Sequence, residues 1–184
     1  MLFSSVQRLV GLVLMVSVLG FLNLAQAESR AALEQSSQAA LHSLIAQDAV
    51  ARELSQRATA VLVFPDVKKA GLIVGGQFGE GVLWRAGKAV GYYNTGGASY
   101  GFQAGVQEYG YAMFFMKESA LKALDVAQGF EVGVGPSIVL IDQGKGFSHT
   151  TTTMQDDVYA FVFNQKGLMA GVGIQGNKIT KINK

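Results

Sequence analysis

Cysteine is absent from this sequence, which excludes disulfides, thiolate metal sites and a cysteine nucleophile. It also excludes a lipid anchor of the bacterial kind, which is built on a cysteine. Histidine is scarce. His42 and His149 are the only two, too few without thiols to make a transition-metal site an expectation. An excess of one charge is lacking as well. Fifteen lysines and arginines stand against 13 acids, whereas nucleic-acid-binding domains are usually strongly basic. No G-x-S-x-G nucleophile motif surrounds His149. The run "HTTTT" at 149–153, followed by Asp156 and Asp157, does gather a histidine, hydroxyls and carboxylates. In a strand, however, successive threonines alternate between faces and do not converge. The expectation is a protein that is not an enzyme and has no cofactor or metal.

A targeting pattern opens the chain. Arg8 is the only charge in residues 1–27, an apolar run fills 9–24, and Ala25-Gln26-Ala27 offers the small residues that a signal peptidase reads. The run is slightly short for a membrane span, and no basic stop-transfer cluster follows it. Residues 1–27 are therefore expected to be a signal peptide. Residues 28–184 are expected to form one domain, periplasmic or secreted after cleavage. Without disulfides such a domain must rely on its core, which its size allows.

Residues 28–59 contain neither glycine nor proline. Leu33, Ala40, Leu41, Leu44, Ile45, Ala51, Leu54 and Ala58 follow helical spacing, with Asp48 the one break in the stripe. The stripe is narrow and rich in alanine, and its polar face lacks the lysines and aromatics of a membrane-surface helix. It is expected to pack on a sheet as one helix or to fold back as two.

After Thr59 the chain turns rich in glycine, β-branched and aromatic residues. Strands are expected at about 60–64, 70–76, 79–85, 89–94, 98–107, 111–116, 130–141, 146–153, 158–164, 168–175 and 178–182. Pro65-Asp66, "RAGK" at 85–88, "DQGKG" at 142–146, "NQKG" at 164–167 and "QGN" at 175–177 read as turns. A helix is expected near 117–128, stopped by Gly129. The fold class is α+β: a strongly bent, mainly antiparallel, glycine-rich sheet at 60–184, sandwich or barrel-like, packed by the helical segment 28–59.

Five glycines crowd "KAGLIVGGQFGEGVLW" at 69–84. A phosphate loop would need Gly-Lys-Ser/Thr, and a dinucleotide fingerprint would need G-x-G-x-x-G opening a helix. Neither occurs here. Glycines four apart recur as Gly71/Gly75, Gly101/Gly105 and Gly167/Gly171. In a strand such pairs share a face and clear a hollow on it, where the sheet bends or a neighbour approaches. The alanine-rich helix is the expected neighbour.

The segments "VLVFPDVKKAGLIVGGQFGEGVL" (61–83), "YYNTGGASYGFQAGVQEYGYAMFFM" (92–116), "GFEVGVGPSIVLID" (129–142) and "DDVYAFVFNQKGLMAGVGIQGNKITKI" (156–182) resemble the SYLF domain, the Ysc-type actin- or lipid-binding family. The resemblance spans roughly 60–182. It implies phospholipid binding and no active site. Eukaryotic members are associated with phosphoinositide membranes and actin, often beside SH3 or FYVE modules, which this sequence lacks. With a signal peptide, the exported bacterial branch is implied, and actin is not an expected partner.

A lipid surface needs cations beside apolar groups. Lys68 and Lys69 follow Pro65-Asp66, Trp84 adjoins Arg85 and Lys88, and Lys166 opens "KGLMAG". These six are the candidate lipid-binding residues, although any lysine at a turn also serves to keep strand edges solvated. Anionic phospholipid is the expected partner. An envelope protein or peptidoglycan is the alternative, using aromatics such as Tyr92, Tyr93 and Tyr109.

Overall fold

The computed structural model describes residues 29–71, 74–100, 105–125, 129–131, 137–142, 155–167 and 177–184. The expected signal peptide, the 149–153 run, and the strands expected at 146–153 and 168–175 lie outside the described residues, as do Gly101 and Gly171.

The N-terminal segment forms two helices, α1 (Arg30–Gln47) and α2 (Ala49–Arg57). Asp48 is the joint. Its carboxylate accepts from the Val50 and Ala51 amides, both at 2.9 Å, and so caps the start of α2. The Arg52 guanidinium donates to the Ile45 and Ala46 carbonyls at 3.1 and 3.0 Å, satisfying groups that the end of α1 leaves open. The polar break in the apolar stripe is thus where one helix becomes two.

The strands are β1 (Ala60–Gly71), β2 (Val74–Arg85), β3 (Lys88–Tyr100), β4 (Gly105–Phe115), β5 (Phe130–Glu131), β6 (Ile138–Asp142), β7 (Val158–Gly167) and β8 (Lys178–Ile182). They form one sheet in the order β5-β8-β3-β2-β1-β4-β7-β6. Only β6 and β7 pair in parallel among the described strands.

The sheet curls into a half-barrel. Phe130 and Ile179 near one edge share a buried cluster with Val158, Ala160 and Val162 near the other. A short helix, α3 (Glu118–Lys122), and a 3-10 turn (Ala123–Asp125) plug this concave side with Ala120 and Leu124. On the convex side, Leu44, Ala51 and Leu54 cover Val61, Val63, Ala112, Phe114 and Phe161. Leu33 covers Val82 and Tyr92.

Several boundaries differ from expectation. Pro65 does not end its strand. β1 runs through it with a bulge on both ladders, between Val63 and Asp66 toward β2 and between Phe64 and Val67 toward β4. A bulge tolerates the missing N–H that a regular central strand would not. "NQKG" is likewise a bulge inside β7, with Asn164 at φ 53°. Gly96 and Gly97 continue β3 instead of dividing it. The helix expected over 117–128 stops at Lys122 and tightens into the 3-10 turn. "RAGK" is the expected tight turn, with Ala86 and Gly87 at φ 49° and 74°, the left-handed pair that a two-residue hairpin loop requires.

The glycines act mainly between strands. A Cβ on Gly81 would stand 2.5 Å from Phe64 Cδ1, and one on Gly110 would strike the Phe163 ring. The helices are not the neighbour that fills the paired glycines, because they cover the other end of the sheet.

Candidate functional site

Beyond its bulge, β1 alternates strictly between faces. Val67 belongs to the concave core, so Lys69 and Gly71 face the same way, and Lys68 and Ala70 face the convex side. The adjacent pair Lys68 and Lys69 is therefore split by the sheet.

On the convex side the ladders align Lys178, Gly96, Phe78, Lys68, Glu108 and Lys166 in one row across β8, β3, β2, β1, β4 and β7. The helices stop short of this row. Lys68 is 70% exposed and meets Asp66 at 3.5 Å. Phe78 is 55% exposed, and Val106, beside Ala70 in the next row, is 65% exposed. Two bulky apolar side chains thus lie among three exposed lysines, with Glu108 between Lys68 and Lys166.

Trp84, Arg85 and Lys88 lie at the opposite end of β2, about 20 Å from Phe78 at strand rise. The Trp84 indole donates to Ser37 Oγ at 2.9 Å, and that hydroxyl donates to the Val63 carbonyl at 3.3 Å. The tryptophan thereby fastens α1 to the sheet. Arg85 pairs with Glu118, and Lys88 follows the tight turn, exposed. A surface cleft of ≈ 420 Å³ beside Trp84 is lined by Leu41, His42, Ile45 and Thr59, and its lining contains no lysine, arginine or acid.

The concave row opposite Lys68 is polar. Gly97, Gln77, Lys69, Gln107 and Gly167 stand side by side. Tyr109 Oη donates to Gln77 Oε1 at 2.9 Å, and Gln77 Nε2 donates to Asn177 Oδ1. Burial pushes the Tyr109 pKa up, so its hydroxyl stays a donor. Lys69 is 7% exposed, Gln107 3% and Asn177 3%. Gln107 Oε1 is buried with no hydrogen-bond partner.

Of the six candidate residues, the fold unites Lys68 and Lys166, turns Lys69 inward and sets the other three apart. Phe78, Val106, Gln77, Gln107 and Asn177 were not among the candidate residues. An isolated phenylalanine between Gln77 and Gly79 was the available signal, but face and register were needed to use it. Tyr92, Tyr93 and Tyr109 are not exposed, because all three side chains are buried. Among the described residues no cluster of three His, Asp or Glu is placed to hold a metal ion, and no helix is long and apolar enough to cross a membrane.

Residues 96–184 match a family model described as Ysc84: Las17-binding protein actin regulator. The match covers the end of β3 through β8, including Gln107, Lys166 and Lys178; β1 and β2 precede it. No curated protein matches the sequence.

Proposed function

We propose, from the premise that the chain belongs to the SYLF family through residues 96–184, that it is a non-enzymatic lipid-binding domain that associates with anionic phospholipid. The observation that carries the proposal is the convex row. Exposed Phe78 and Val106 would enter the interfacial region while Lys68, Lys166 and Lys178 meet lipid phosphates. A lysine near an anionic surface contributes about 1 kcal/mol, and the attraction fades within a Debye length. The signal-peptide pattern at 1–27 supports an exported protein acting in the bacterial envelope, periplasmic or secreted. In that setting neither actin nor Las17 is a partner, whatever the family description names. The alternative of an envelope protein or peptidoglycan partner cannot use Tyr92, Tyr93 and Tyr109, which are buried.

Flotation of the purified protein with neutral and anionic vesicles, at low and high salt, tests the reading. Co-flotation with anionic vesicles that weakens with salt and is abolished by Lys68→Glu/Lys166→Glu is the expected result. Equal flotation of that double variant would overturn the convex row as the contact. No flotation with any vesicle would overturn surface binding altogether.

A further inference from the structure

We infer that the concave face holds a separate oxyanion site, with Lys69 as its cation and Gln107 as its hydrogen-bonding partner, for a phosphate group carried by a lipid headgroup or a soluble phosphate ester. The site lies on the opposite side of the sheet from the convex row, so it stands or falls separately from the membrane contact.

Lys69 is 7% exposed, and burying an ammonium without a counter-charge is costly. The sequence has 13 acids, and apart from Glu28 and Asp142 all have described side chains. None of the described ones forms an ion pair with Lys69. Between residues 72 and 176, the stretches outside the described residues contain no Asp or Glu. Asp142 belongs to β6, three strands away, and Glu28 precedes α1, which packs on the convex side. The chain thus supplies Lys69 no counter-ion among the described residues, and a bound anion would.

Gln107 is directly opposite Lys69 on the same face, so their Cβ atoms are about 5 Å apart. Its Oε1 is buried and unpartnered, and a hydroxyl on a protonated phosphate or on its alcohol would satisfy it. On the other flank Gln77 is fixed by Tyr109 and Asn177. Gly97 leaves these side chains their room, because a Cβ would stand 2.5 Å from Asn177 Oδ1. Gln77 is therefore held in place by its neighbours. A single cation among amides and a phenol suits an oxyanion of low charge.

In the next row outward, Gly71 is opposite both Gly75 and Gly105. Three adjacent strands thus present no side chain on the concave side just beyond Lys69. The pair expected within one strand at 70–76 is instead split between β1 and β2, and with Gly105 it adjoins the lysine, not the helices.

The test is titration of the purified protein with glycerol 3-phosphate by calorimetry, in parallel with flotation on phosphatidylglycerol vesicles. Wild type, Lys69→Met, Gln107→Leu and Lys68→Glu/Lys166→Glu are compared. Lys69→Met is expected to weaken phosphate binding at least about tenfold and Gln107→Leu about threefold, while the double variant binds glycerol 3-phosphate like wild type. Binding of glycerol 3-phosphate identifies a soluble ester as sufficient. Capture of vesicles that depends on Lys69 and Gln107, without glycerol 3-phosphate binding, identifies the lipid headgroup. Wild-type behaviour of Lys69→Met and Gln107→Leu in both arms overturns the site even if flotation succeeds, and so does an absence of binding in both. Should Lys69→Met fail to fold, Gln107→Leu decides alone.

Discussion

The two halves of β1 share a strand, a sheet and the same two neighbours, yet they do different work. Residues 60–64 are apolar on both faces: Ala60, Leu62 and Phe64 join the concave core, and Val61 and Val63 lie beneath α1 and α2. Residues 67–71 put a buried lysine inside, an exposed lysine outside, and end on glycine. The bulge at Pro65 divides them. What separates the halves is what covers them. Where helices lie on the sheet, large side chains fill both faces. Beyond the helices, Lys68, Lys69, Ala70 and Gly71 are small or charged, and the convex face beside them carries the exposed Phe78 and Val106. The packed core is therefore concentrated at one end, and the proposed contacts lie at the other.

The comparison breaks most readily with two phenylalanines. Phe114, buried beneath the helices and edge-on to Phe161 at 5.3 Å, should cost about 3–5 kcal/mol as Phe114→Ala, read from urea unfolding. Phe78→Ala should change stability by less than about 0.5 kcal/mol while reducing vesicle flotation. Similar stability losses at both sites would show that the uncovered end is core after all. A pair of glycines gives the next largest contrast. Gly81→Ala forces a methyl against the Phe64 ring and the Val63 carbonyl, 2.7 Å away, and should cost about 1–3 kcal/mol. Gly76→Ala, whose methyl meets only the Gly97 carbonyl at 3.8 Å, should be neutral within about 0.5 kcal/mol. Thermal denaturation of the two variants side by side measures the difference.

Much of this division was readable before any coordinates. The absence of glycine and proline marked the helices, Asp48 marked their break, and "RAGK" marked the tight turn. What could not be read was register. Pro65 looks like a stop because proline ordinarily ends a central strand, and only the two ladders reveal that a bulge absorbs it. Adjacent lysines in a strand must face apart, so Lys68 and Lys69 could have been separated by alternation alone. Which of the two was buried depended on the curl, and the curl depends on contacts between strands far apart in sequence. The row of Gln77, Lys69 and Gln107 is drawn from three strands, and no local pattern brings those residues together.

The smallest expected effect concerns pH and falls at the packed end. Lys117 Nζ is 2.7 Å from Asp157 Oδ1, and Asp157 Oδ2 accepts from the Ser137 amide at 3.2 Å, joining the starts of β6 and β7. The ammonium, and then that amide, hold the Asp157 carboxyl below its ordinary value of 3.8. A carboxylate with a depressed folded pKa contributes stability that is present above its unfolded value and lost as pH falls through the folded one. The same pairing raises the Lys117 pKa, so the lysine's share is lost only as pH rises through its raised value, above 10.5. Both groups are solvated, so the effect is modest and weakened by salt. Urea midpoints taken from about pH 6 to about pH 2.5 should fall less steeply for Asp157→Asn than for wild type. Identical acid slopes would remove this pair from the account. Lys68→Met, at the uncovered end, should leave the slope nearly as it is, since its contact with Asp66 is longer, at 3.5 Å, and 70% of the lysine side chain is exposed.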